Sequence, residues 1–148
     1  MKENNKIQLK FNSLSQNESL ARGVVGCFAI QLNPSVAELN DIKTAISEAV
    51  TNCIVHAYAD SVGLIYIWAG IYENGRIRVK IRDKGCGIEN IKQAMEPLFT
   101  TSDGERAGLG FAVMESFCDK LCVRSTPGVG TVVTLEKQIK GRVHCDAL

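Results

Sequence analysis

Residues 82–91 read RDKGCGIENI, and this stretch decides how the rest of the chain is interpreted. Just before it, residues 77–81 alternate between apolar and charged side chains, the period of a half-buried strand. Asp83 therefore stands at the end of a strand, and Gly85 and Gly87 follow it at once. Glycine allows backbone to approach a neighbouring group unusually closely, so a carboxylate beside two glycines indicates a site for a ligand.

The composition of the chain is that of an ordinary globular domain. Its 148 residues are 45% hydrophobic and 22% charged, with a net charge of +1. We interpret residues 1–148 as a single domain. A charge this close to zero gives no general attraction to nucleic acid or to anionic membranes, although it leaves room for a local basic patch. No segment approaches the ~18 apolar residues of a membrane-spanning helix, and the first residues lack the apolar core of a signal peptide. We expect a soluble, cytoplasmic protein.

The six cysteines do not form a metal-binding or disulfide pattern. Cys118 and Cys122 are four residues apart, no CxxC pair occurs, and His56 and His144 are isolated. We therefore interpret the cysteines as buried thiols that act as small hydrophobic side chains in a reducing cytosol, with Cys145 as the exposed exception.

Two capping boxes mark the starts of the first two helices. Ser15 and Glu18 have the spacing of a capping box and predict a helix that continues to about residue 32. Ser35 and Glu38 predict a second helix to about residue 57, in which apolar residues recur at spacings of three and four and form one face. This second helix has the clearest signal in the chain.

The remaining pattern predicts strands joined by short turns. Strands are expected at residues 7–11, 63–72, 77–83, 121–125 and 130–137, with an Asn-Gly hairpin turn at residues 74–75. A short helix is expected at 90–96, a polar loop at 100–107 and a further helix at 108–120. Tight turns favour antiparallel pairing. The predicted fold class is a two-layer α/β (α+β) sandwich with a mixed, mostly antiparallel sheet and helices on one face.

The second helix carries a pair of polar residues off its apolar face. Glu48 and Asn52 are four residues apart, so their side chains project from the same side of the helix. A carboxylate and an amide oxygen placed together suit a magnesium ion or an attacking hydroxyl group. Taken alone, such a pair is more typical of an ordinary solvated helix face.

A second candidate site lies near residue 110. Gly108 and Gly110 precede a predicted helix, whose free N–H groups and positive dipole end suit a phosphate group. The loop before them supplies hydroxyls and a guanidinium that could close over phosphates, Thr100, Thr101, Ser102 and Arg106. A merely solvated polar loop is an equally good interpretation of this segment by itself.

The order of these three motifs resembles the GHKL ATP-binding family, which includes gyrase-type ATPases, heat-shock chaperones and histidine kinases. The phrases that carry the resemblance are IKTAISEAVTNCIVHAY at 42–58, VKIRDKGCGI at 79–88, EPLFTT at 96–101 and GLGFAVMESFCDKL at 108–121. Together with NESLAR at 17–22 they cover nearly the whole chain and are similar to one branch, the anti-sigma factor serine kinases. The resemblance implies the Bergerat-type GHKL fold.

The resemblance also implies a role for each matching residue. Asp83 would accept a hydrogen bond from the adenine amino group, and Gly85 and Gly87 would let backbone pack beside the nucleotide. Asn52 would hold Mg²⁺ on the phosphates of ATP or ADP, and Glu48 would accept the proton from, or orient, an attacking serine hydroxyl. The phosphates would be enclosed by Gly108, Gly110, Arg106 and the loop residues Thr100, Thr101 and Ser102. Thr131 would lie near Asp83, and Arg22 would contact a protein partner.

By the same resemblance the chain would be a protein-serine kinase with protein partners. It would hold a sporulation sigma factor of the sigma-F type and phosphorylate a STAS-type anti-anti-sigma protein, as a homodimer that binds neither nucleic acid nor membrane. The alternatives are a nucleotide-gated binding module without effective catalysis and an anti-sigma kinase of the general stress response. A histidine-kinase domain is disfavoured because the sequence shows no upstream pair of helices with an acceptor histidine.

Overall fold

The computed structural model describes residues 2–95 and 110–141, and the fold is set out for these parts of the chain. The predicted Ser35–Glu38 capping box is confirmed, because the Ser35 Oγ accepts from Glu38 N at 3.1 Å and Glu38 Oε1 accepts from Ser35 N at 2.9 Å. The helix that it opens, α2 (Val36–Asn52), is the longest of the described helices. A π-helical turn, Cys53–Ala57, continues it.

The helix before α2 begins differently from the sequence-based expectation. Helix α1 covers Gln16–Ala29 and is followed by a 3₁₀ turn at Ile30–Leu32. The predicted capping box at its start is wrong, since the Ser15 side chain makes no capping hydrogen bond and Glu18 instead pairs with Arg22 at 3.3 Å. Ser15 itself has helical backbone angles, which do not aim its hydroxyl at the free N–H groups.

Five strands form one sheet in the order β1-β2-β3-β5-β4. The strands are β1 (Glu3–Asn12), β2 (Leu64–Tyr72), β3 (Arg76–Asp83), β4 (Lys120–Thr126) and β5 (Gly130–Gln138). All four strand pairs are antiparallel, which extends the expectation of a mostly antiparallel sheet. Two shorter helices, α3 (Ile91–Ala94) and α4 (Gly110–Phe117), lie between β3 and β4 in the chain.

The core lies between the helices and one face of the sheet. Every second residue of β2 and β3 points into it, and Ile46 and Val50 of α2 meet them, all nearly inaccessible to water. The predicted two-layer α/β sandwich is thereby confirmed. The opposite face of the sheet carries charged and aromatic residues and is not covered by any of the described helices.

A carboxylate joins the helix layer to the end of the sheet. Besides capping α2, Glu38 accepts hydrogen bonds from Lys140 N at 2.7 Å and Gly141 N at 3.1 Å, just after β5. Burial alone would raise the pKa of Glu38, but these N–H donors and that of Ser35 reverse the effect and lower it. The ionised form of Glu38 therefore stabilises the fold.

The cysteines depart from the expectation that they are buried. Cys53 is buried and Cys118 is half-buried, but Cys27, Cys86 and Cys122 are exposed. These five are free thiols, and Cys145 lies outside the described residues. Among the described residues no cluster of three or more His, Cys, Asp or Glu side chains could hold a metal ion.

Candidate nucleotide-binding site

The carboxylate at the end of β3 is held rigidly between strand and helix. Asp83 is 5% exposed, and its Oδ1 accepts from Gly85 N at 3.0 Å and from Thr131 N at 3.2 Å. Its Oδ2 accepts from the Cys53 thiol at 3.5 Å. Three donors on different elements thus fix the orientation of one buried acceptor.

The environment of Asp83 changes its proton affinity. Burial raises the pKa of the Asp83 carboxyl above its ordinary value, although the donors from Gly85, Cys53 and Thr131 oppose that shift. Burial also raises the pKa of the Cys53 thiol well above its usual range, with the negative charge of Asp83 as a further cause. Cys53 therefore stays protonated at neutral pH and acts as a donor to the carboxylate.

The π-helical turn brings the end of α2 against the glycine loop after Asp83. The widened turn is closed by a hydrogen bond from Tyr58 N to Cys53 O at 3.0 Å. The carbonyl of Ala57, in the same turn, accepts from Cys86 N at 3.1 Å. The helix that carries Glu48 and Asn52 and the loop that follows Asp83 are thus bonded directly to each other.

The two glycines of this loop are required by the fold itself. A side chain at Gly85 would clash with the carbonyl group of Ala57, and one at Gly87 with the carbonyl group of Thr126. Gly87 also has a φ angle of 77°, a conformation that other residues adopt at a cost. Close packing of backbone on backbone within the protein accounts for both glycines, before any ligand is considered.

Glu48 and Asn52 lie on one side of α2, as their spacing predicts. Glu48 is largely buried, at 9% exposure, and Asn52 is half-buried. A Cβ atom placed on Gly110 would lie 3.0 Å from the side-chain amide of Asn52, so the start of α4 is packed against this residue. The structure therefore brings together three of the predicted site residues, Glu48, Asn52 and Gly110, next to the turn that contacts Asp83.

Thr131 lies where the resemblance places it, beside Asp83. Its Oγ1 is 2.7 Å from the Oγ of Ser125, and this second hydroxyl also accepts from Ile88 N at 2.7 Å. Ser125 contacts the carbonyl of Gly130 at 3.0 Å as well. The hydroxyl pair joins β4 and β5 to the end of the glycine loop.

Arg22 lies close to the catalytic candidate. Its guanidinium is within 3.3 Å of Glu18 on its own helix and within 3.4 Å of the Ser47 hydroxyl on α2. Ser47 directly precedes Glu48, and 41% of the Arg22 side chain is exposed. A protein that contacts Arg22 would therefore be adjacent to the helix face that carries Glu48.

The remaining predicted residues are not placed by the structure. Thr100, Thr101, Ser102, Arg106 and Gly108 lie outside the described residues, so their proposed contacts with phosphate stay predictions. The prediction that the polar loop at 100–107 lines the site is untested for the same reason.

Three residues of the site were not identified from the sequence. Cys53 was assigned only to the apolar face of α2, and Ser125 to an unremarked strand. Tyr58 was also missed, although its hydroxyl accepts from Lys84 N at 2.6 Å and donates to Leu64 O at 2.7 Å. The signal for Tyr58 was its position at the end of the SEAVTNCIVHAY segment. The role of Cys53 became visible only through the π-helical turn, and that of Ser125 only through the register of β4 and β5. His56 is half-buried, as expected for a packed helix residue, and burial lowers its pKa.

Comparison with known proteins identifies the class of this domain. The model of the histidine kinase-like ATPase domain family matches residues 11–137, which include the glycine loop and every placed site residue. The chain therefore has a histidine kinase-like ATPase domain, a nucleotide-binding domain of the GHKL class. Among the described residues, no helix is long and apolar enough to cross a membrane.

Curated relatives narrow the class further. An anti-sigma F factor from Caldanaerobacter subterraneus subsp. tengcongensis is 56% identical over 140 residues, covering 94% of this chain and 97% of the relative. An anti-sigma F factor from Priestia megaterium is 47% identical over 137 residues, covering 91% and 93%. The chain belongs to the anti-sigma F factor family.

Solved structures with low sequence identity to this chain are evidence for its fold and not for its function. The RsbU and RsbW domains of a Mycobacterium tuberculosis protein align with a TM-score of 0.69 at 20% identity, covering 97% of this chain and 36% of that structure. The histidine kinase domain of a blue-light activated histidine kinase from Erythrobacter litoralis aligns with a TM-score of 0.55 at 17% identity, covering 82% and 61%. The predicted GHKL architecture is confirmed.

Proposed function

We propose that this chain is an anti-sigma factor that binds a sporulation sigma factor of the sigma-F type and phosphorylates a serine of a STAS-type anti-anti-sigma protein with ATP. The observation that carries the proposal is the bonded junction between the Asp83 loop and the end of α2. It sets a buried, oriented acceptor close to the helix face of Glu48 and Asn52, inside a domain of the histidine kinase-like ATPase family.

Adenine recognition is assigned to Asp83. The carboxylate is fixed by three protein donors, and a ring amino group would add a further donor to its remaining lone pairs. A buried acceptor favours a ligand able to donate a hydrogen bond to it over one that cannot. This favours adenine, which has an amino group at C6, over guanine in the same orientation, which has a carbonyl oxygen at that position.

Phosphate binding and transfer are assigned to the α2 face and the residues around Gly110. Asn52 would hold Mg²⁺, which when bound offsets the charge that develops on the phosphates. The partner's serine oxygen attacks the γ-phosphorus, the bond to the β-phosphate oxygen breaks and ADP leaves. Glu48 takes the proton of the serine hydroxyl. The polar loop at 100–106 and Gly108 would enclose the phosphates.

Protein contacts are assigned to the surface around Arg22. The exposed guanidinium is next to Ser47, so a partner docked there brings its serine to the side of α2 that carries Glu48. Phosphorylation would add about two negative charges to the partner's serine, beside the Glu48 carboxylate; like-charge repulsion there would weaken the complex and leave the protein available to the sigma factor. We further expect a cytoplasmic homodimer, as the family resemblance implies.

Transfer of label from ATP to a purified STAS partner tests the catalytic assignment. Because a general base contributes about a hundredfold to ten-thousandfold, Glu48→Gln should lose that much of the single-turnover rate and still bind nucleotide. Glu73→Gln, an exposed residue of the β2–β3 hairpin, is the matched control and should transfer normally. Equal rates for wild type and Glu48→Gln would leave the nucleotide-gated binding module as the better description.

A further inference from the structure

The two oxygens of the Asp83 carboxylate are occupied unequally. Oδ1 accepts two hydrogen bonds, from Gly85 N at 3.0 Å and from Thr131 N at 3.2 Å. Oδ2 accepts from the Cys53 thiol at 3.5 Å, and no other of the described residues donates to it. A carboxylate oxygen has about two lone-pair sites, so Oδ1 is filled and Oδ2 has one site left. The amino group of a bound base would therefore use Oδ2, the oxygen that the thiol already contacts.

The Cys53 thiol is held in place by its surroundings and by its backbone. The residue is 4% exposed and belongs to the apolar core between the helices and the sheet. Its carbonyl accepts from Tyr58 N at 3.0 Å, the hydrogen bond that closes the π-helical turn. A buried side chain on a fixed backbone has few other positions to adopt. The backbone donors thus hold Oδ1 of Asp83, and the thiol restrains Oδ2.

Cys53 directly follows Asn52, so one helix end contacts two parts of the candidate site. Successive residues of a helix point roughly 100° apart. Here Asn52 lies against Gly110 at the start of α4, and Cys53 lies against Asp83. The end of α2 therefore touches both the residues assigned to the phosphates and the residue assigned to the base.

We propose that Cys53 is a positioning residue for base recognition, whose thiol holds Oδ2 of Asp83 in the orientation that accepts the adenine amino group. This inference rests on the proposed function, in which Asp83 recognises adenine. Cys53 acts through Asp83 and not by contact with the nucleotide. A carboxylate that is already in the binding orientation loses less freedom when the nucleotide arrives, and this strengthens binding.

Packing alone is the other explanation for a cysteine at this position. A buried thiol fills space as a small hydrophobic side chain, and its removal would then loosen the whole site. The two explanations differ for a ligand that lacks the amino group. Loss of packing weakens the binding of both ligands alike, whereas loss of carboxylate orientation weakens only a ligand that donates to Oδ2.

Isothermal titration calorimetry of the full chain with two ligands separates these explanations. The ligands are ADP and the diphosphate of purine riboside, which is ADP without its amino group. The wild type should bind ADP about tenfold or more tightly than this analogue, because a hydrogen bond to a charged acceptor is lost. In Cys53→Ala this ratio should fall by about threefold to tenfold, through weaker binding of ADP, while the affinity for the analogue changes by less than about twofold.

Two further variants serve as controls. Cys53→Ser keeps a donor at the same position and should retain the wild-type ratio within about twofold. Cys118→Ala makes the same deletion at a half-buried free thiol that is not among the donors to Asp83, and it should also leave the ratio unchanged within about twofold. Circular dichroism checks that all three variants are folded.

Infrared difference spectra of the wild type test the hydrogen bond without altering Cys53. Bound ADP adds a second donor to Oδ2 of Asp83, so the bond from the thiol should weaken and its S–H stretching band should move to higher wavenumber. The analogue should leave this band in place. The band is assigned to Cys53 by its loss in Cys53→Ser.

The possible failures of this inference and of the proposed function are distinguishable. An unchanged ratio in Cys53→Ala, equal losses for the two ligands, or an S–H band that ADP does not shift would overturn the role of Cys53 and leave adenine recognition by Asp83 intact. Equal affinities of the wild type for ADP and the analogue would contradict the assignment of adenine recognition to Asp83, and this inference with it.

Discussion

The two faces of the central sheet are built from the same strands and have opposite characters. On β2, Ile65, Ile67 and Ala69 are nearly inaccessible beneath the helices, whereas Tyr66 and Trp68, which alternate with them, lie on the open side. The buried face is specified by packing, and the candidate nucleotide site is at its end. The open face has no such constraint among the described residues, so its cationic and aromatic side chains require another explanation.

The largest expected contrast is between neighbouring positions on the two faces. Ile67→Ala removes a side chain that is 1% exposed and should lower the free energy of unfolding by about 2–5 kcal/mol. Lys80→Ala, on the adjacent strand of the open face, should change it by less than about 0.5 kcal/mol. Urea denaturation of both variants measures the difference. Similar losses for both would mean that the open face is also held by packing.

Asp83 provides the sharpest test of the buried face. Asp83→Asn should weaken ADP binding by about tenfold to a hundredfold, since it replaces a charged acceptor of fixed orientation. Because the pKa of Asp83 is raised above 3.8, protonation should begin to weaken ADP binding of the wild type at a higher pH than for an ordinary aspartate. Isothermal titration calorimetry at several pH values measures both effects.

Protonation of Asp83 at low pH should act in opposite directions on the two quantities: it weakens ADP binding but raises the contribution of Asp83 to the free energy of unfolding. An acid whose folded pKa is raised binds protons more tightly in the folded state, so Asp83 contributes stability that increases as the pH falls through its folded pKa. Asp83→Asn removes this dependence. A wild-type ADP affinity that is constant down to the range of an ordinary aspartate would contradict the assignment of Asp83 to adenine.

Replacement of Glu38, which bonds the helix layer to the end of the sheet, should have a smaller effect on the free energy of unfolding than Ile67→Ala. Glu38→Gln should cost about 0.5–2 kcal/mol of the free energy of unfolding at pH 7, the range of a lost helix cap. The pKa of Glu38 is lowered in the folded state, so its stabilisation is full above its unfolded value near 4.5 and is lost as the pH falls through the folded pKa. Urea denaturation at pH 7 and pH 3 measures it. If Glu38→Gln lowered the free energy of unfolding as much at pH 3 as at pH 7, the stabilisation would not come from the charge of Glu38.

The sequence predicted the elements well where one signal dominated. Ser35 and Glu38 gave the start of α2 correctly, because the helix that follows has a strong apolar period. Ser15 and Glu18 have the same spacing, but the capping box predicted from it does not form, since Arg22 one turn later pairs with the Glu18 carboxylate. Spacing alone does not distinguish these two outcomes.

The open face was hidden from the sequence for two physical reasons. The alternation of β2 is invisible because Tyr66 and Trp68 are as apolar as the isoleucines between them. The basic character of the face arises only from the pairing of β1, β3 and β4, which are distant in the chain. Within the site, the contact of Cys53 with Asp83 depends on the π-helical turn, which no residue pattern signals.

That widened turn makes the chain sensitive to its own length. Each residue of an α-helix advances the direction of the side chain by about 100°, so deleting one residue from Cys53–Ala57 would restore a regular helix and rotate everything after it. The Ala57 carbonyl would leave Cys86, and the Tyr58 hydroxyl would leave Lys84. Side chains in this turn can be exchanged at moderate cost, but the number of residues in it is fixed by the loop that it supports.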